Sequence, residues 1–188
     1  MNTGIARVGY AMVTVGTNGA ITYGTVKKLE SELSGGREFT ADPKGDLTEV
    51  YADGKLVKSV EVNDGYDIKL ILLDIIDDIH KDWLDNTVDT EHKTVAEYSK
   101  TKQRPKFCLI LAENTDDGLG KITYYYNSQV TKRPSKSSKT SEGKFDPQFK
   151  EFAIGARPRP TDGLVCYETT GTEIPAVVVE PAAEETEG

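Results

Sequence analysis

Tyr66-Asp67-Ile68-Lys69-Leu70-Ile71-Leu72, running straight into Leu73-Asp74-Ile75-Ile76-Asp77-Asp78-Ile79-His80-Lys81-Asp82-Trp83, changes its apolar period midway. In the first half Tyr66, Ile68, Leu70 and Leu72 recur at every second residue with Asp67 and Lys69 between them, the pattern of a strand with one buried face. In the second half Ile71, Leu72, Ile75, Ile76, Ile79 and Trp83 share one stripe of a helix, while Asp74, Asp77, Asp78, Lys81 and Asp82 lie opposite. Asp74 suits the helix start, where a carboxylate meets the positive end of the helix dipole. The spacing predicts a strand feeding one helix over 74–84, about three turns long, that lies across a sheet.

Outward from this stretch the punctuation is that of antiparallel β structure. Asn18-Gly19, Asp53-Gly54, Asp64-Gly65, Asp117-Gly118 and Asp162-Gly163 are steps that readily take the positive φ of tight hairpins. Val8, Tyr10 and Met12, then Ile21 and Tyr23, alternate on either side of the first. Glu49 to Ala52 and Lys55 to Lys58 flank Asp53-Gly54, with the strand resuming through Val60 and Val62. Lys106 to Ala112 is a continuous apolar run suited to a central strand covered on both faces, and Lys121 to Tyr126 is rich in β-formers. Phe149, Phe152 and Ile154, then Leu164 to Tyr167, supply the last strands around the hinges at Arg157-Pro158-Arg159-Pro160 and Asp162-Gly163. The expectation is a mainly β (α+β) protein: an antiparallel sandwich or barrel-like fold with the one flanking helix.

With 188 residues, 37% hydrophobic and 29% charged, the chain has material for one globular core, placed at 1–170. Met1 to Arg7 lacks the basic stretch and apolar run of a signal peptide, and no run approaches about 18 apolar residues, so neither export nor a membrane partner is expected. Of the 31 acids, five (Glu173, Glu180, Glu184, Glu185, Glu187) fall in 171–188, which holds no Lys or Arg; that segment reads as an acidic, disordered tail. Within it Ala176-Val177-Val178-Val179 has two readings, a strand added to a neighbour's sheet edge or part of a loose tail. The remaining 26 acids and 23 bases nearly balance, which argues against tight nonspecific nucleic-acid binding. Thr131 to Gly143, mostly Lys, Arg, Ser and Thr, reads as a flexible basic loop.

Chemistry is sparse. His80 and His92 are the only histidines, and neither has a Ser or Cys arranged beside it as a nucleophile. The aspartates at 74, 77, 78 and 82 read as a solvated helix face before they read as a cation site. Gly118-Leu119-Gly120-Lys121 is no phosphate loop, because Thr115 stands where the first Gly is needed and Ile122 where a Ser or Thr is needed. Cys108 and Cys166 sit in apolar runs as small buried hydrophobes. Lys132 to Lys139, with Tyr124 to Tyr126 upstream as stacking rings, is the best nucleic-acid candidate, against a solvated loop or a protein contact. No catalytic, cofactor-binding or metal-binding residue and no cofactor is expected, and the chain is not read as an enzyme.

Taken in chain order, Ala6-Arg7-Val8-Gly9, Thr22-Tyr23-Gly24, Val50-Tyr51-Ala52-Asp53-Gly54, the Leu70 to Trp83 passage, Arg104-Pro105-Lys106-Phe107, and Phe152-Ala153-Ile154-Gly155-Ala156-Arg157 before Asp162-Gly163 resemble the major tail (tail-tube) proteins of long-tailed, non-contractile phages of Gram-positive bacteria. The resemblance spans about residues 5–170. It implies a sandwich of the superfamily that includes contractile-tail tube proteins and the haemolysin-coregulated protein of type VI secretion. It further implies hexameric rings stacked into a tube in the virion, assembled in the host cytoplasm, through which DNA passes without specific binding. The implied partners are other copies of the chain and the tape measure, tail terminator and distal tail proteins. On this reading Tyr51, Asp53 and Gly54 in the 34–64 region, and Lys132, Arg133, Lys136 and Lys139 in the basic loop, are the inter-subunit candidates. The alternative is a virion-surface or immunoglobulin-like sandwich acting as a binding module.

Overall fold

A computed structural model describes residues 2–99, 103–138 and 148–182; Lys139 and the rest of the basic loop after it lie outside the described residues. The chain opens with the long strand β1 (Asn2–Val15), turns at Asn18-Gly19 into β2 (Ile21–Tyr23), and passes through β3 (Lys27–Lys28) and a single helical turn, α1 (Ser31–Ser34), to β4 (Gly36–Pro43). Next come β5 (Leu47–Ala52), β6 (Lys55–Glu61), β7 (Tyr66–Leu72), helix α2 (Asp77–Asp82) and the small hairpin β8 (Thr87–Asp89) and β9 (Thr94–Ala96). Strands β10 (Phe107–Thr115), β11 (Lys121–Lys132), β12 (Lys150–Ala156) and β13 (Cys166–Thr170) follow. The protein is mainly β, and the described strand pairs are antiparallel.

The main sheet runs β2-β1-β10-β11-β12-β7-β4, with β3 beside β1 and β13 beside β11. β11 is long because it carries two partners end to end: β13 along Lys121 to Tyr125, and β12 along Ser128 to Lys132. The sheet curls until β4 faces β11, where Phe39 and Tyr125 lie with ring centres 6.0 Å apart, and this curl encloses the first core. Val8, Tyr10, Ile68, Leu70, Leu72, Phe107, Leu109, Leu111, Phe152 and Ile154 fill it at the alternate positions of their strands. α2 closes one side: Trp83 stacks on Phe107 at 4.6 Å and meets Tyr10 and Phe152 edge-on at 5.3 and 5.4 Å.

β10 accounts for its own continuous apolar run. Phe107, Leu109 and Leu111 face the first core, while Cys108, Ile110 and Ala112 face a second one with Ala11, Ile122, Tyr124 and Tyr126. A strand with no solvent face has no polar alternation to show.

The helix is shorter than 74–84. It spans Asp77–Asp82, and Ile75 and Ile76 pack against the first core from extended chain. Asp74 does not begin the helix; its Oδ1 accepts from the Ile75 amide at 2.8 Å, and Asp77 and Asp78 take the first turn. The apolar stripe merged two elements because Ile71 and Leu72 belong to the strand. The basic loop also starts later than 131, since β11 continues through Lys132.

The segment from Gly171 to residue 182 is not a loose tail. Ile174 is buried in the second core and Val178 and Val179 pack against it, so this segment supplies the apolar layer that β1, β10 and β11 need on that face. Among the described residues no helix is long and apolar enough to cross a membrane.

Candidate functional site

The β4–β7 ladder does not stop at the body of the domain. It continues through Lys44 N–H to Gly65 O (2.8 Å), Asp64 N–H to Lys44 O (2.7 Å) and Val62 N–H to Asp46 O (3.0 Å) into the separate β5–β6 ladder. Residues 36–72 thus form one long hairpin whose outer part is an arm, extending about 20 Å at roughly 3.3 Å per residue over six residues of each strand. Two glycines set the elbow. A side chain at Gly45 would place its Cβ 1.9 Å from the Val62 carbonyl oxygen, and one at Gly65 (φ +97°) would place it 2.0 Å from that of Ala156. At the tip, Asp53 and Gly54 take φ of 53° and 75°, the paired positive values of a two-residue hairpin turn.

Every residue from Asp42 to Asp64 whose side chain is described is exposed. Leu47, Val50, Tyr51, Val57, Val60 and Val62 are among them, with Tyr51 60% and Val57 65% exposed. Tyr51 donates to Glu49 Oε2 at 2.6 Å on its own face of the arm, which pushes its hydroxyl pKa up. A bulge between Val50 and Tyr51 leaves Val57 without a cross-strand partner. A two-stranded hairpin with no core of its own is marginal in water, and clustered exposed apolar side chains mark a contact surface. Tyr51, Asp53 and Gly54 sit at and beside the tip of this exposed arm.

The basic residues occupy a different place. Lys132 ends β11, exposed. Arg133 is not part of a free loop: its Nη1 donates to Asn86 Oδ1 (2.9 Å) and its Nη2 to the Leu84 carbonyl (2.8 Å), and Glu97 lies 3.6 Å from Nε. Lys136 reaches the same Glu97 at 3.3 Å. Arg133 and Lys136 are thus brought together beside a hollow of about 560 Å³ next to Arg104 and Tyr98. None of their described hydrogen bonds or ion pairs involves the arm. Tyr124, Tyr125 and Tyr126, read as stacking rings, are buried in the two cores and offer no face to a base.

The sparse chemistry has structural partners. His80 Nδ1 accepts from the Asn86 amide at 3.2 Å, and burial lowers its pKa. His92 contacts Asp89 at 2.7 Å on the surface and holds that carboxyl below its ordinary range. Of the helix aspartates, Asp82 takes the Tyr10 hydroxyl and Lys27, each at 2.7 Å, and Asp78 lies 3.6 Å from Lys27. Among the described residues no group of three or more His, Cys, Asp or Glu is placed to hold a metal. Cys108 and Cys166 are free thiols, and burial raises the pKa of both.

Two further features concern the strand edges and the outer face of the main sheet. β2, β3, β4 and β13 each pair on one side only among the described residues, so the edges of β4 and β13 are among those the main sheet leaves open. The outer face of β4, β7 and β12 carries Glu38, Asp42, Asp67 and Glu151 against Lys69 and Arg157, with Thr40 and Ala153 between them. Lys69 is shared by Glu151 (3.4 Å) and Glu38 (3.9 Å), and Arg157 is bonded to Asp67 (2.5 Å). That face is acidic on balance, with four carboxylates against two cations.

The exposure of the arm's apolar side chains and the elbow role of Gly45 and Gly65 were not read from the sequence, which marked Val50 to Val62 as strands and Asp64-Gly65 as a turn. Their signal is the regular spacing of Val50, Val60 and Val62 around Asp53-Gly54, with no second apolar run nearby to cover it. No family model matches the chain, and no curated protein matches it.

Proposed function

We propose that this chain is the repeating subunit of a phage tail tube, a structural protein that assembles into rings and stacks them around a channel for DNA. The observation that carries the reading is the arm: a hairpin exposed from Asp42 to Asp64, bearing apolar side chains on both strands and positioned by close glycine packing at its elbow. Such an element is marginal in water until something covers it, and a second copy of the chain is always present at the site of assembly.

The open edges of β4 and β13 support the same reading, because an unpaired edge is a template for another strand and a closed ring leaves none free. The acidic outer face of β4, β7 and β12 suits a bore that must pass DNA without gripping it, since retention rests on neutralised phosphates. The tape measure, tail terminator and distal tail proteins are the partners this role entails.

Negative-stain electron microscopy of the concentrated protein tests the proposal. Rings or tubes with a central hole are expected. Dispersed single particles at every concentration, with or without tail-initiation components, would reject it in favour of a binding module.

A further inference from the structure

The face of the sheet opposite the first core is closed by a segment with neither helix nor strand. From Thr172 to Glu180 the chain crosses β1, β10 and β11, and four residues anchor it. Ile174 is buried in the second core, close enough to Gly9 that a Cβ there would lie 3.2 Å from its Cδ1. Ala176 O accepts from the Val26 amide at 3.0 Å, and Val179 O from the Tyr126 hydroxyl at 2.5 Å. Glu180 receives the Arg159 guanidinium at 2.8 and 3.0 Å, and Arg159, only 10% exposed at its side chain, also binds Asp162 at 2.6 Å and Tyr23.

The groove and the strap differ in kind. The groove is built from the central strands of the main sheet, whereas the strap has no ladder, and Pro175 and Pro181 keep its backbone extended. Arg159 is a charge largely withdrawn from water, so the groove selects a segment that is apolar along its length and acidic at its far end. Every copy of this chain carries both halves of that match. The strap also leaves directly from β13, whose outer edge is open, so a copy docked on that edge stands beside the strap's point of departure.

We infer that the groove beneath residues 172–180 is an inter-subunit docking site whose occupant is the same segment of a second copy, exchanged on assembly. Exchange keeps every anchor, from Ile174 to the Glu180–Arg159 pair, and costs only the entropy of association. The inference stands apart from the tail-tube reading: it concerns how copies hold one another, whatever they build.

The test is a disulfide trap in the full chain. Val26→Cys and Ala176→Cys are introduced together, with each single variant as a control, and the protein is oxidised at low and high concentration and run on a non-reducing gel. At low concentration the expected product is an internally bridged monomer with faster migration. At high concentration a ladder of covalent dimers and larger species is expected, absent from both single variants. An internal bridge alone at every concentration overturns the exchange, and absence of any bridge overturns the docking itself. Imaging the same samples separates the two questions, because tubes built from internally bridged chains would remove this inference and leave the tube intact.

Discussion

The Tyr10 hydroxyl donates to Asp82 Oδ2 at 2.7 Å, joining the middle of β1 to the end of α2 across 72 residues of chain. Lys27 meets the same carboxylate oxygen at 2.7 Å, so one aspartate of a helix that could pass for a solvated acidic face fastens the helix to two strands. Tyr10→Phe removes the donor and leaves the half-buried Asp82 with Lys27 alone. The expected loss is about 1–2 kcal/mol in urea unfolding. Trp83→Ala, which empties the space between Phe107, Phe152 and Tyr10, should cost about 3–5 kcal/mol.

The elbow and the tip of the arm make opposite demands on glycine. Gly65→Ala meets both a positive φ and a carbonyl oxygen 2.0 Å from its new Cβ, so the backbone of β12 or of the elbow must move. Gly54→Ala meets only the φ, because nothing lies within 4 Å. Thermal unfolding should show Gly54→Ala within about 1–2 kcal/mol of the parent and Gly65→Ala well beyond it. Equal effects would mean that the elbow is not packed as described.

Tyr51 and Arg133 separate assembly from stability. Tyr51→Ser and Val57→Ser change side chains exposed on the arm, and unfolding should shift by no more than about 0.5 kcal/mol while self-association is lost. Arg133→Ala strips two charge-assisted hydrogen bonds from Asn86 and the Leu84 carbonyl, so it should cost about 1.5–3 kcal/mol in denaturant unfolding.

Acid should loosen the Asp162 side of the Arg159 cluster. The Arg159 guanidinium holds the Asp162 carboxyl down to about 2. Because the folded value lies below the unfolded one of about 4, the stabilisation is complete above pH 4 and is lost as pH falls towards 2. Asp162 is half exposed, so the effect is small in energy. Comparing Asp162→Asn with the parent in acid titrations of unfolding should show a flatter slope for the variant in that window.

The β character and the strand–turn positions were legible because Asx-Gly steps and period-two alternation are local. Asn18-Gly19 and Asp53-Gly54 turn where the residues say they should. The helix ends were not legible, because Ile71 and Leu72 continue the apolar stripe of Ile75 and Ile79 while belonging to a strand. The tail misled for a related reason: Ile174 and Val178 are too few for a core by themselves, and only the uncovered face of β10 and β11 gives them something to bury against. Arg133 reads as one charge among many in a Lys- and Ser-rich run; its partners Leu84 and Asn86 lie 49 and 47 residues away, beyond the reach of local pattern. The arm's exposure is likewise a long-range fact, set by where β4 and β7 leave the body.

Cryo-electron microscopy of the assembled protein, at a resolution that traces strands, tests the central claim most directly. The account predicts rings in which residues 47–61 lie against a different copy, with Tyr51 and Val57 covered. A ring or tube whose arms project into solvent, or a protein that stays monomeric at every concentration, would contradict it.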